Sequence, residues 1–254
     1  MNSSETRRWS GRKSAAAPIY LPLLALMTLS VVFHFSQLDL NLQRVFWSPT
    51  NGWSFANHPL VQLLYRCGTW PAMLVGVTAA AAWVVLIVRK KWPQLRALCL
   101  FLVLVLIIGP GLLINAGFKD HFGRSRPVQV NQFGGTEPFR PLGQPGPRGS
   151  GKSFPSGHAS MGFYWLALSV YFWSRQRNYA VGFAALGILH GTLMGLGRMA
   201  QGGHWASDVL WSAGFVYLTA WSLDYFLFRL PKAKSTAPSL SPVTATNSTN
   251  ILAT

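Results

Sequence analysis

Three clusters of polar residues in this sequence combine cations, histidines and a carboxylate at short spacings. Phosphoryl transfer needs charge stabilisation on the phosphate oxygens, a nucleophile and a proton for the leaving oxygen, and residues of these types can supply all three. We therefore predict that the clusters meet in one phosphate-handling site. In chain order they contain Lys119, Arg126 and Pro127; Pro155, Ser156, Gly157 and His158; and Arg198, His204 and Asp208.

The third cluster has the spacing of a histidine oriented by a carboxylate. His204 and Asp208 are related as i and i+4, so a helix would place both side chains on one face. A carboxylate bonded to one ring nitrogen fixes the tautomer and leaves the other nitrogen as a nucleophile or base. Asp208 also begins an apolar segment, where an acidic residue is costly unless it is paired. We predict that Asp208 orients His204.

The first cluster supplies two permanent cations. Lys119 and Arg126 are seven residues apart, about two helical turns, so a continued helix would put them on one face and Pro127 would end it. Such a pair suits an anion. The alternative for this cluster alone is that both side chains reach to lipid headgroups from a helix end.

The second cluster has the composition of a helix start. Ser156 and Gly157 there would expose backbone N–H groups to an anion, with the serine hydroxyl as a further donor. His158 can give or take a proton near neutral pH. Taken alone, this cluster also fits a plain helix cap followed by a histidine at the membrane interface.

A metal site is the competing interpretation of the histidines. His158, His204 and Asp208 could in principle bind a divalent cation. The lysine and two arginines of the same clusters would surround that ion with like charge. We therefore predict a site without a metal or other cofactor.

Composition indicates that much of this chain lies in lipid. Only 11% of the 254 residues are charged and half are apolar, whereas soluble domains carry roughly a quarter charged residues. The net charge is +16, from 22 Lys and Arg against 6 Asp and Glu. Because the basic residues alternate with apolar runs, we expect anionic lipid headgroups and phosphate substrates as partners, and no nucleic acid.

The apolar runs predict an all-α membrane protein, a bundle of six transmembrane helices. The predicted spans are residues 18–36, 70–88, 97–118, 159–173, 179–197 and 206–228. In the third span, Gly109-Pro110-Gly111 should kink or unwind the helix. Between the third and fourth spans a long outer loop should carry short helical or irregular segments. Its glycine- and proline-rich part, 128–153, is interpreted as a functional lid.

Basic residues then predict orientation. With the N-terminus inside, 13 of the 22 Lys and Arg fall in inner segments, in agreement with the positive-inside rule. We therefore expect a cytoplasmic basic segment at 1–17, a six-span domain at 18–230 and a disordered cytoplasmic tail at 231–254. All three polar clusters then lie at the outer face.

The order and spacing of the clusters, Lys119-x6-Arg126-Pro127, then Pro155-Ser156-Gly157-His158, then Arg198-x5-His204-x3-Asp208, resemble the signature of the type 2 phosphatidic acid phosphatase family. One position departs from it, since Gly197 stands where the family has Ser. The resemblance implies a phosphoric monoester hydrolase that needs no metal. His204 would attack phosphorus and form a phosphohistidine, Asp208 would orient it, and His158 would protonate the leaving lipid oxygen. The phosphate oxygens would be held by Lys119, Arg126, Arg198, Ser156 and the Gly157 amide.

Within that family, the stretches 119–127, 133–135 and 153–160 are similar to bacterial lipid A phosphatases. This resemblance implies a lipid A substrate and an active site that faces the periplasm from the bacterial inner membrane. Further cations suit a polyanionic glycolipid headgroup, although a solvated basic loop would have the same composition. They are Arg124, Arg140, Arg148 and Lys152.

Three alternatives stay open at this point. Related family members act on undecaprenyl diphosphate or phosphatidylglycerol phosphate. A phosphotransferase would pass the phosphoryl group from the same intermediate to a second lipid. A membrane transporter could use the basic mouth only to bind anions, but such a site would not need a His–Asp pair.

Overall fold

The computed structural model describes residues 17–230. The predicted N-terminal segment, apart from Ala17, and the predicted disordered tail lie outside the described residues. Helices within that range are α1 (Tyr20–Phe35), α2 (Leu38–Gln43), α3 (Pro59–Cys67), α4 (Trp70–Val88), α5 (Pro93–His121), α6 (Gly157–Phe163), α7 (Leu166–Phe172), α8 (Arg177–Ala200) and α9 (Ala206–Asp224).

The described part of the chain is all-helical and contains no β-strand, which confirms the predicted class. Three of its helices are long and apolar enough to cross a membrane: Pro59–Val88, which joins α3 to α4, then α5 and α8. The predicted first span corresponds to the shorter apolar helix α1. The layout of six spans therefore stays a prediction.

The predicted irregularity in the third span is present. Residues Ile107–Phe118 within α5 form a π-helix that contains Pro110. Proline has no N–H for the helical ladder and its ring displaces the preceding turn, so the local winding must change. The Asn115 side chain satisfies one of the affected carbonyls, since its Nδ2 donates to the Pro110 oxygen at 2.7 Å.

The chain after α5 differs from the expectation of a helix continued to Pro127. The helix ends at His121, and Gly123 adopts a left-handed conformation with φ +68°. A Cβ at Gly123 would lie 2.3 Å from the Pro147 oxygen, so the turn requires glycine. Pro127 begins a short 3-10 turn instead of ending a helix. Lys119 and Arg126 thus reach the same region by a turn, and not along one helical face.

The outer loop is packed against the start of α9. Val130 and Phe133 are buried there in a cluster with Leu40 and Trp205. Short 3-10 turns occur at Pro127–Gln129 and Asn131–Phe133, and the rest of the loop is irregular, as expected. Its interpretation as a lid stays a prediction. The packing fixes the loop beside the residues that precede α9.

Close helix contacts fix the second cluster against α8. A Cβ at Gly162 in α6 would lie 2.6 Å from the Gly191 Cα in α8, so the two backbones are in direct contact. On its other side, α6 packs against α9, where the Ser212 hydroxyl donates to the Ser156 carbonyl at 2.8 Å. Because α8 and α9 carry the third cluster near their adjoining ends, these contacts bring the second and third clusters together.

Candidate active site

The His204 ring is buried and held by a backbone acceptor. Its Nδ1 lies 2.6 Å from the Ser153 carbonyl oxygen. The nearer Asp208 oxygen, Oδ2, is 3.8 Å from the same nitrogen, so the spacing brings the pair together but the Ser153 carbonyl makes the shorter contact. With a carbonyl as its partner, Nδ1 carries the proton and Nε2 keeps its lone pair.

Asp208 also reaches His204 through Ser153. Its Oδ2 accepts from the Ser153 hydroxyl at 2.6 Å and from the Trp205 backbone N–H at 2.9 Å. Its Oδ1 accepts from Arg124 Nη1 at 2.6 Å. The carboxylate therefore fixes both the residue whose carbonyl orients His204 and the turn that follows it.

The second cluster forms a helix start, as its sequence predicts. Ser156 is the N-cap of α6, and its Oγ accepts from the Ala159 N–H at 3.4 Å. A Cβ at Gly157 would lie 2.7 Å from Asn115 Oδ1 and 3.4 Å from Lys119 Nζ. Only glycine leaves room for these side chains, and this contact joins the first cluster to the second.

Lys119, Arg126 and Arg198, which we call the cation cluster, lie close enough for their charges to interact. All three side chains are partly buried. Arg198 donates to the Gln201 side chain, but its Nε is buried and has no hydrogen-bond partner among the described residues. A buried guanidinium donor without a partner is costly, and an anion bound here would satisfy it.

His158 lies where burial and nearby cations oppose its protonation. The pKa of His158 is lowered to about 4, chiefly by burial and in addition by the charges of Arg198, His204 and Lys119. Its ring stacks on Tyr65, with centroids 4.9 Å apart and planes 16° apart. His158 is therefore neutral at pH 7 in the anion-free site.

Burial likewise lowers the pKa of His204, while Asp208 opposes that shift. The imidazole is thus uncharged near neutral pH. An uncharged imidazole with a free Nε2 is the form that can act as a nucleophile.

The four predicted headgroup cations have different environments. Arg124 is not at the surface, and this expectation is corrected: its side chain is fully buried and pairs with Asp39 and Asp208. Arg140 is partly buried and donates to the Ser125 hydroxyl at 3.2 Å. Lys152 and Arg148 are exposed.

Sequence reasoning gave no role to Tyr65, Ser153 or Asp39. Ser153 lies in the stretch 153–160 that resembles lipid A phosphatases, but the use of its carbonyl could not be read from the sequence, and the ring face of Tyr65 has no distinctive spacing. Asp39 did carry one: it is one of only 6 acidic residues and directly follows an apolar run. An acidic residue in such a place needs a buried partner or an exposed position.

No group of three or more His, Cys, Asp or Glu side chains within residues 17–230 is arranged to hold a metal ion. His204 Nδ1 and both Asp208 oxygens are already engaged with protein groups. The expectation of a metal-free reaction stays a prediction.

All three clusters lie in a region of the chain that matches a known protein family. The model of the PAP2 superfamily matches residues 97–232, more than half of the 254 residues. The chain belongs to the PAP2 superfamily. The resemblance drawn from the motifs is thereby confirmed. Asp39 and Tyr65 lie outside the matched PAP2 region.

Three relatives of this chain are named lipid A 4'-phosphatases. The protein of Francisella tularensis subsp. novicida (strain U112) is 38% identical over 145 residues, which cover 57% of this chain and 64% of that relative. The protein of Rhizobium leguminosarum is 38% identical over 120 residues, which cover 45% of this chain and 49% of the relative. A Rhizobium etli protein is also 38% identical over 120 residues. The chain thus spans about half to two thirds of the length of these relatives. No solved structure gives a significant match.

Proposed function

We propose that this chain is a membrane phosphatase that hydrolyses a phosphate monoester of lipid A, without a metal, at the periplasmic face of the bacterial inner membrane. The observation that carries the proposal is the His204 ring, whose Nδ1 is held by the Ser153 carbonyl at 2.6 Å. Nε2 is therefore the nitrogen that attacks phosphorus. The names of three PAP2 relatives support lipid A as the substrate.

The reaction proceeds in two displacements. In the first, the Nε2 lone pair of His204 forms a bond to phosphorus while the bond from phosphorus to the lipid oxygen breaks. His158 gives its proton to that leaving oxygen. In the second, His158 takes a proton from water, the resulting hydroxide attacks phosphorus, and the P–N bond breaks to release inorganic phosphate and free His204.

The substrate itself supplies the proton state that this sequence needs. Before binding, burial and the nearby cations hold the pKa of His158 near 4. A phosphate monoester with two negative charges offsets Lys119 and Arg198 and so favours the protonated form of His158. Binding therefore recruits the proton that the leaving oxygen then receives.

Phosphate oxygens are held by donors from all three clusters. Lys119 and Arg126 provide charge, and the unpartnered Nε of Arg198 gives a directed donor. The hydroxyl of Ser156 and the Gly157 amide lie at the start of α6. Gly197, where the family has Ser, contributes no side chain to this set.

The sugar headgroup is assigned to the polar surface next to the cation cluster. Arg126 and Lys152 both line a cavity of about 360 Å³, together with Val128, Gln129 and residues 149–151. Lys152 also pairs with Asp120 at 2.8 Å, but both side chains are about half exposed, so a charged ligand can compete for the lysine. Arg140 and Arg148 lie on the same loop and extend this basic surface.

The test is phosphate release by the purified protein in detergent or lipid nanodiscs. Wild type is incubated separately with lipid A, undecaprenyl diphosphate and phosphatidylglycerol phosphate, and the products are identified by mass spectrometry. We expect lipid A to lose one phosphate, and the His204→Ala variant to release none. Release by that variant at the wild-type rate would refute the role of His204, and loss of phosphate from another lipid only would refute the substrate assignment.

Two further arms separate the remaining mechanisms. Activity with a chelator present is expected to equal activity without it, and its loss would contradict a metal-free reaction. Labelled phosphate that appears on an added acceptor lipid, and not as inorganic phosphate, would identify a phosphotransferase. Tight anion binding with no turnover of any lipid would favour an anion-binding transporter over an enzyme.

A further inference from the structure

Arg124 lies in the interior between two carboxylates that come from distant parts of the chain. Its Nη2 donates to Asp39 Oδ2 at 2.7 Å and its Nη1 donates to Asp208 Oδ1 at 2.6 Å. All three side chains have no exposed surface. Arg124 Nε is also satisfied, by the Arg140 carbonyl at 3.1 Å. This arrangement is a built ion triad of two negative charges and one positive charge.

Asp39 also holds the first turn of α9 directly. Its Oδ1 accepts from the Ser207 backbone N–H at 3.0 Å, and its Oδ2 accepts from the Ser207 hydroxyl at 2.5 Å. That hydroxyl in turn accepts from Arg124 Nη1 at 2.8 Å. Burial and the nearby Asp208 raise the pKa of Asp39, whereas Arg124 and the two Ser207 donors lower it. Since every hydrogen-bond contact to Asp39 is a donor, we take the side chain as a carboxylate.

Stability alone does not account for this triad. Removing two carboxylates and a guanidinium from water costs more than most buried pairs return, so a packed apolar group would serve the fold as well. The triad does have a direct connection to the reaction centre. From Asp208 it continues through the Ser153 hydroxyl to the Ser153 carbonyl and so to His204 Nδ1.

We propose that Asp39 is a positioning residue for the nucleophile: it fixes Arg124 and Ser207, which fix Asp208, which fixes Ser153 and His204. This inference rests on the proposed function, in which His204 attacks phosphorus. Asp39 belongs to α2 and lies outside residues 97–232 that the family model matches. The helix after the first apolar segment is thereby part of the active-site machinery.

The triad also acts on the charge of His204. With two carboxylates and one guanidinium, its net charge is −1, and attack on phosphorus by Nε2 leaves a positive charge on the ring. The charged and titratable groups that face His204 are Asp208, Arg198, Lys119 and His158. Arg198 and Lys119 disfavour a positive ring, and His158 is uncharged once it has given up its proton, so the negative triad stabilises the ring.

The experiment compares Asp39→Asn with Asp224→Asn. Asparagine keeps the volume of Asp39 but removes its charge. Asp224 is the matched control, because it is also buried and paired with two arginines, Arg175 and Arg229. It lies 16 residues after Asp208 on the same helix, about 24 Å away.

Two readouts are measured for each variant. The first is the kinetics of phosphate release: Asp39→Asn should lower kcat about ten- to hundredfold, as expected of a displaced reacting group, with KM within about twofold. The second is the NMR titration of the ¹⁵N-labelled His204 ring, assigned with His204→Ala. Asp39→Asn should move that titration to lower pH, because a negative charge is lost, whereas Asp224→Asn should change neither readout.

A wild-type His204 titration and kcat in Asp39→Asn would overturn the inference, and so would equal shifts in the two variants. If Asp39→Asn does not fold, Asp39→Glu decides, since it keeps the charge but lengthens the side chain in a fully buried site. It should keep the His204 titration and lose several-fold in kcat, and wild-type kcat would overturn the proposal. The titration does not depend on turnover. If wild type is inactive but Asp39→Asn still shifts the His204 titration, only the proposed function is refuted.

Discussion

The contact between Gly157 and the Asn115–Lys119 pair gives a sharp test of the site's geometry. In Gly157→Ala the added methyl would lie 2.7 Å from Asn115 Oδ1 and 3.4 Å from Lys119 Nζ. Asn115 cannot retreat without loss, because its Nδ2 donates to the Pro110 carbonyl at 2.7 Å and its Oδ1 accepts from Lys119. The methyl group must therefore displace the Asn115 side chain, and with it the Lys119 ammonium that donates to Asn115 Oδ1.

The expected magnitude follows from those contacts. Loss of one hydrogen bond to a charged group costs about 1.5–3 kcal/mol. If Lys119 no longer reaches the phosphate, kcat/KM should fall by about ten- to hundredfold. Overpacking costs about 1–3 kcal/mol of folding stability. Alanine in place of glycine in a helix regains up to about 1 kcal/mol, so the net loss of folding stability should be about 0–2 kcal/mol.

The assay is phosphate release from lipid A by wild type and by Gly157→Ala, with thermal unfolding measured on the same preparations. Gly182→Ala is the control: Gly182 lies on the exposed side of α8, and a Cβ there would meet no atom within 4 Å. That variant should be fully active and slightly more stable. Wild-type kcat/KM in Gly157→Ala would refute the placement of Lys119 against the second cluster.

Three further predictions concern neighbouring residues. Tyr65→Ala should lower kcat about tenfold, because the ring stacks on His158 and lies 4.8 Å from the Arg198 guanidinium; Tyr65→Phe keeps both contacts and should stay within about threefold, and wild-type kcat in Tyr65→Ala would contradict this role. Burial lowers the pKa of His158 to about 4, so a bound anion must bring a proton with it below the ordinary pKa. Sulfate, which does not titrate in this range, should therefore inhibit more strongly at pH 5 than at pH 7.5, and His158→Asn should flatten that dependence; a pH-independent inhibition constant in wild type would refute it. Gly197→Ser should raise stability by roughly 0.5 kcal/mol and leave kcat unchanged, since a Cβ there meets only Leu64 atoms at 3.6 and 3.7 Å; a drop in melting temperature would show that the space is not available.

The helical class and the grouping of the polar clusters could be predicted because each rests on short-range patterns. Apolar runs are long enough to count, and His204 with Asp208 or Ser156 with Gly157 are near neighbours in sequence. A kink or unwinding at Pro110 was predictable for the same reason, and the structure shows the altered winding as a π-helix.

The parts that sequence reasoning missed depend on turns and long-range contacts. Gly123 turns the chain after His121. The seven-residue separation of Lys119 and Arg126 does not reveal that turn. Arg124 was interpreted as a surface cation because it stands in a basic loop. Its burial results from Asp39, 85 residues earlier in the chain, a pairing that no local pattern contains.

The separation of charge in this site gives the substrate a structural role. Both oxygens of Asp208 are engaged by Arg124, Ser153 and Trp205, so this carboxylate is not available to neutralise the cation cluster. Within residues 17–230, Lys119, Arg126 and Arg198 form no ion pair with a carboxylate, so a bound phosphate would be their direct counter-ion. Binding should therefore stabilise the fold as well as protonate His158, and it should do so only for an anion that reaches the buried Nε of Arg198. A phosphate monoester at the end of a lipid headgroup meets that requirement. A phosphodiester has one negative charge fewer, and its second substituent would have to fit beside the buried Arg198 Nε.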